Sequence, residues 1–149
     1  MKTKFFIPLL VIIFSCAAHL QPPVVKIKNV YLDKVNQQNI ILLVKIDVKN
    51  PNTQKLVLSS KEIAVYDHSR KLGQLLPVKD FPVEAGSRRI ITAKAQLKKN
   101  RLLKSAITGL LVQKIHLNIS GTVTGKIGML KKTVKINDQF TLDLAKLLR

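Results

Sequence analysis

Three histidines, eight acids, a single cysteine and 26 Lys and Arg are the side chains able to do chemistry in this 149-residue chain. His116, Asn118 and Ser120 come closest to a catalytic group, because alternation along an extended segment turns all three to one face. His116 and Ser120 are nevertheless about 13 Å apart at strand rise, and a base at that distance cannot take the hydroxyl proton. The Gly-x-Ser-x-Gly elbow, His-Glu-x-x-His and the Gly-x-x-x-x-Gly-Lys-Ser/Thr phosphate loop are absent. Gly121, Gly125 and Gly128 have the wrong spacing for a dinucleotide loop and read as turn and bulge positions. His68 falls in an expected hairpin turn and His19 in an N-terminal tether, and no ligand cluster converges as a metal requires. The expectation is a protein that is not an enzyme and uses no cofactor or metal.

Cys16 stands alone, which excludes a disulfide within the chain and a thiolate metal cluster. Its chemistry is set by what precedes it. Lys2 and Lys4 lead into the apolar run Phe5 to Phe14, about half of what a helix needs to cross a bilayer, so the segment reads as an export signal. Ile13, Phe14 and Ser15 before Cys16, with Ala17 after it, resemble a bacterial lipoprotein signal. That resemblance implies cleavage before Cys16, a diacylglyceryl group on its sulfur and often an acyl chain on the new amino terminus. Two or more chains anchor stably where one is marginal. Cleavage after Ala18, with ordinary secretion, is the alternative. The expected organisation is a signal peptide over 1–15, lipidated Cys16 and a tether over 16–23 kept extended by Pro22 and Pro23, and one domain over 24–149. The expected location is the exported side of a bacterial envelope membrane, in the periplasm or at the outer membrane.

Hydrophobic residues make up 46% of the chain and charged residues 23%, ordinary usage for one globular domain. Aromatics are only 5%, with no Trp, so the core must be aliphatic and stacking platforms for single-stranded nucleic acid are scarce. Ile40, Leu42, Val44, Ile46 and Val48 alternate with polar residues, and the same period of two recurs over 91–97, 115–123 and 140–144. Less regular runs cover 24–32, 56–66 and 130–136, with parity breaks near Asn29 and Ser59–Lys61 that predict bulges. Turn residues separate these runs at Asn50–Asn52, Asp67–Arg70, Glu84–Ser87 and Asn137–Asp138. The expected fold is all-β: an antiparallel, seven-stranded sandwich of immunoglobulin/fibronectin-III-like architecture. Leu102, Leu103, Ala106, Ile107, Leu110 and Leu111 recur at helical spacing behind a possible cap at Asn100, which predicts one short helix packed across an open end or side.

Val48-Lys49-Asn50-Pro51-Asn52, ending a strand and opening a turn, resembles the type-2 late-embryogenesis-abundant (LEA) family, the water-stress and hypersensitive-response (WHy) domain. Ile63 to Asp67 followed by Lys71-Leu72-Gly73, the Pro-containing turn Phe81 to Ser87, and Ile119 to Val123 with its internal glycine follow in the family's order. The resemblance runs from Val24 to Leu144. It implies a folded domain associated with desiccation and other stress rather than with catalysis, and Asn50, Pro51 and Asn52 as a structural turn.

The net charge of +18 calls for anionic surroundings. Lys98, Lys99, Arg101 and Lys104 form one dense cluster and Lys131, Lys132 and Lys135 another, and both are expected to contact an anionic membrane surface. Nucleic acid is not expected, since an exported lipoprotein does not meet the genome and no recognition helix accompanies the lysines. Three functions are consistent with these features. The first is a stress-protective module touching membrane or client proteins. The second is a carrier of a lipid or other apolar ligand in a groove between helix and sheet, lined by Leu103, Ile107, Leu110 and Leu111. The third is an assembly lipoprotein that docks a protein partner.

Overall fold

The computed structural model describes residues 19–108, 114–143 and 145. Its elements are β1 (Val24–Val35), β2 (Asn39–Lys49), β3 (Leu56–Asp67), β4 (Arg70–Leu75), β5 (Phe81–Val83), β6 (Arg88–Lys98), α1 (Lys99–Thr108), β7 (Lys114–Ile127) and β8 (Leu130–Asp143). The alternating segments do as a half-buried strand must. Ile40, Leu42, Val44, Ile46 and Val48 of β2 are all buried, as are Ile91, Ala93, Ala95 and Leu97 of β6 and Ile115, Leu117 and Ile119 of β7. The buried hydrophobic residues are aliphatic throughout, and Phe81 and Phe140 only flank them.

All pairings are antiparallel, and they run β1-β2-β6-β4-β3-β7-β8 with β5 added on β3. Hydrogen bonding passes without a break through all eight strands, so the two layers expected of an immunoglobulin-like sandwich are not separate sheets. Instead one sheet curls into a half-barrel around the aliphatic core. Its two outermost strands come back toward each other, and the backbone N–H of Ile27 in β1 donates to Asp138 Oδ2 in β8 at 3.0 Å.

Two differences from the expected strand set have physical causes. β4 and β5 are too short to show alternation, and Pro82 interrupts the second of them, so neither stands among the seven periodic runs, although the hairpin turn expected at Asp67–Arg70 does join β3 to β4. The expected runs over 130–136 and 140–144 are one strand, because Asn137 and Asp138 stay in register opposite Ser120 and Ile119 rather than turning. Their turn chemistry is tolerated on an outermost strand, where Asp138 has the Ile27 amide to satisfy. The bulges fall where parity breaks, between Ile27 and Asn29 and between Ser60 and Ile63. Gly121 lies opposite the second bulge, where a Cβ would stand 2.7 Å from the Ile63 Cα. The helix begins at Lys99, whose N–H donates to Gln38 O, so Asn100 stands in its first turn rather than capping it.

Register divides the molecule into two ends. Val24, Lys49 and Arg88 are aligned at one end, together with the Ile127–Leu130 turn between β7 and β8 and the start of β3; this is the entry end, where the chain joins the fold. Val35, Asn39 and Lys98 are aligned at the other, the helix end, with the Asp67–Arg70 turn and α1.

Candidate functional site

Asn50 is fully buried between the β2–β3 turn and the segment that follows β5. Its Nδ2 donates to the carbonyls of Gln54 at 2.8 Å, Val83 at 3.0 Å and Glu84 at 3.1 Å, and its Oδ1 accepts from the backbone N–H and the Nδ2 of Asn52. One side chain thus ties its own turn to the end of β5 and the residue after it, 33 and 34 residues farther along the chain. Backbone bonds complete the junction, from Asn50 N to Ser87 O and from Gly86 N to Asn52 O, with Gly86 in the left-handed region that lets the second turn close. The Asn50-Pro51-Asn52 turn thus ties the β2–β3 connection to the segment that follows β5.

The same turn captures the incoming chain. Gln21 N donates to Asn52 Oδ1 at 2.8 Å, and Asn52 Nδ2 donates back to Gln21 O at 3.0 Å. A cleft of 240 Å³ opens beside this clamp, lined by Leu20, Gln21, Pro51 and Asn52 on one side and Ile127 and Leu130 on the other. The entry segment and the tip of the β7–β8 hairpin are therefore neighbours. Cys16, the expected lipidation site, lies outside the described residues, three positions before the first of them.

The two basic clusters are at opposite ends of the sheet. Lys131 and Lys132 are exposed at the start of β8, opposite Lys126 and Gly125, with Lys135 farther along opposite Thr122. Lys98, Lys99, Arg101 and Lys104 are at the helix end, where Arg101 Nη1 donates to Lys71 O at 3.1 Å and so ties α1 to β4. One plane cannot meet both clusters end-on.

The expected apolar groove is only partly within the described residues. Leu102 is 1% exposed and packs into the core, whereas Leu103 is 43% exposed. Ile107 is in α1 but its side chain, like Leu110 and Leu111 altogether, lies outside the described residues. A second cleft opens onto the core beside Val25, Ile46, Val78 and Val123, and its 20 Å³ holds about one water.

The histidines are scattered as the sequence places them. His116 Nδ1 is 3.1 Å from Thr141 Oγ1 on an exposed face, and His68 Nδ1 is 2.8 Å from Asp67 Oδ1 in the β3–β4 turn. Among the described residues, no three of His, Cys, Asp and Glu gather as metal ligands would. The carboxyl of Glu62 is held below the usual carboxylate range by its hydrogen bond to Lys71 Nζ and by that ammonium's charge.

Sequence reasoning missed Gln21 and Asp138, whose roles depend on partners 31 and 111 residues away. The expected run beginning at Leu130 left Met129 unassigned, although an apolar pair between Gly128 and two lysines was a readable signal.

No protein-family model matches the chain, and neither does any curated protein. Among solved structures it is similar to a solution structure from Arabidopsis thaliana, with a TM-score of 0.69 at 16% identity over 80% of each chain. A crystal structure of a protein from Archaeoglobus fulgidus superposes with a TM-score of 0.61 at 14% identity, over 80% of this chain and 94% of that one. A solution structure provisionally described as a late embryogenesis abundant (LEA) protein gives 0.50 at 13% identity, over 87% and 76%. At such identities the likeness is one of fold, and it is consistent with the resemblance to LEA-2 domains that the sequence motifs carry.

Proposed function

We propose that this protein is an envelope-anchored, non-catalytic lipoprotein whose LEA-2-like domain protects against desiccation and related stress through contacts with membrane or client proteins. The observation that carries the reading is the clamp between Gln21 and Asn52. It starts a fold shared with a LEA-described structure within five residues of Cys16, so an acylated Cys16 would hold the domain close against the membrane. The exported side of a bacterial envelope membrane is the location that follows. The high positive charge supports an anionic surface as partner, each lysine near such a surface adding about 1 kcal/mol at low salt.

Carriage of an apolar ligand has less support. The cleft that reaches the core has room for about one water, and Leu103 faces solvent while its neighbour Leu102 fills the core.

Mass spectrometry of the processed N-terminus tests the anchor. A diacylated Cys16, lost with membrane fractionation in Cys16→Ser, is expected, whereas an N-terminus at His19 without lipid overturns it. Drying a labile enzyme or dye-loaded vesicles with the protein tests protection, and unchanged inactivation and leakage would refute it. Native mass spectrometry separates the other readings: a co-purified lipid points to a carrier, a protein partner to an assembly role. Turnover of any substrate that His116→Ala abolishes would make the protein an enzyme.

A further inference from the structure

We infer that the tip of the β7–β8 hairpin, Ile127 to Leu130, is a docking wedge for an anionic phospholipid surface, with Met129 and Leu130 entering the interface and Lys126, Lys131 and Lys132 meeting headgroups. Met129 is 96% exposed, more than any other large hydrophobic residue described, and Leu130 beside it is 48% exposed. Isolated exposed apolar residues are commonplace, but here two adjacent ones cap a tight turn. Gly128, at φ +56°, closes it, and Ile127 and Leu130 pair across it.

The lysines give the wedge its chemistry. Lys126 and Lys131 are direct cross-strand partners, an arrangement that is unfavourable for like charges unless an anion lies between or above them. Lys132 follows at the next position, and no acid occurs in the chain between Glu84 and Asp138. The acids near this end are already engaged, Glu84 with Lys55 and Asp47 with Arg88. An apolar tip with a basic collar matches the amphipathic boundary of an anionic bilayer, where burial of the tip and attraction of the collar act together.

Position makes the same case. The tip faces Leu20 and Gln21 across the entry cleft. Three residues from His19 back to Cys16 span at most about 11 Å when fully extended, so an acylated Cys16 would bring this end of the sheet, and not the helix end, to the membrane. The orientation rests on the anchor reading, whereas the wedge chemistry does not.

The test uses the processed protein carrying Met129→Cys. Whether Cys16 is acylated or removed by cleavage after Ala18, the introduced thiol is the only free one, so a polarity-sensitive fluorophore reads the tip in either case. A label at Leu103→Cys reports the helix end. On vesicles containing phosphatidylglycerol, the label at 129 is expected to shift to the blue and the label at 103 to stay in water. The shift is expected to be lost on pure phosphatidylcholine, in high salt, and in Lys126→Glu/Lys131→Glu/Lys132→Glu. Mass spectrometry of the same sample decides the anchor separately, and vesicle flotation of a non-acylated product still reads the wedge. A label at 129 that stays in water, an equal shift on neutral vesicles, or immersion of 103 in its place would overturn the proposal.

Discussion

The entry end and the helix end carry similar positive charge and use it differently. At the helix end the basic side chains hold elements together: Arg101 reaches a carbonyl of β4, Lys71 pairs with Glu62, and α1 is fastened by Leu102 in the core. At the entry end the amides of Asn50 and Asn52 fasten the turns and Lys55 and Arg88 pair with Glu84 and Asp47, but among the described residues no ion pair involves Lys126, Lys131 or Lys132 at the hairpin tip. Charge that the fold does not use internally is charge left for a partner. A count of lysines cannot make this distinction, because it depends on which carbonyls and acids the topology brings within reach.

The largest way to break the comparison is Asn50→Ala. It takes their Asn50 partner from the carbonyls of Gln54 and Val83 and from the Asn52 N–H, while the Glu84 carbonyl keeps Ser87. At about 1–3 kcal/mol for each group that water cannot reach, a loss of about 3–5 kcal/mol in urea unfolding is expected, with faster hydrogen exchange at Gln21 and Gly86. Leu102→Ala should come next, at about 2–3 kcal/mol from transfer and a partly collapsing cavity. Its exchange signature is expected at Lys99, with the entry end unchanged. Loosening of both ends by either variant would show that they are one cooperative unit rather than two.

How much of this was legible depends on the range of the interactions. β2, β6 and β7 could be read directly because each buries one face of an alternating run, which is a local property. Asn50 could be read as a turn residue, but its bonds to Val83 and Glu84 could not, since nothing near position 50 indicates which turn will lie beneath it. Asn137 and Asp138 misled for the converse reason: their types favour a turn, and a long-range amide from β1 outweighs that local preference. The wedge was not legible because Met129 falls between the runs ending at Val123 and beginning at Leu130, and its exposure depends on what the rest of the fold leaves uncovered at the hairpin tip.

A smaller effect is expected from Asp138→Ala, which removes the acceptor for Ile27 N–H. Unfolding stability should fall by about 1 kcal/mol, and Asp138→Asn, which keeps an acceptor oxygen, should restore most of it. Faster exchange confined to the Ile27 amide would locate the change.

The smallest concerns Lys71→Met at the helix end. Glu62's carboxyl is held low in the folded chain, so its pairing stabilises above the ordinary carboxylate range and is lost as pH falls through the lowered value. A carboxyl-detected NMR titration should show Glu62 moving up toward the ordinary range in the variant. No movement would remove Lys71 as the cause.

The seam between β1 and β8 has a consequence for what happens when water is withdrawn. Drying concentrates proteins, and a sheet with a bare margin can then recruit strands from neighbouring chains and grow into fibres. Here the two margins face each other, bridged by Ile27 and Asp138, and both are studded with lysines, Lys26 and Lys28 on one and Lys132 and Lys135 on the other. An approaching strand would meet like charge and a partly occupied edge. The edges of this sheet are thus disfavoured as templates for a neighbouring chain.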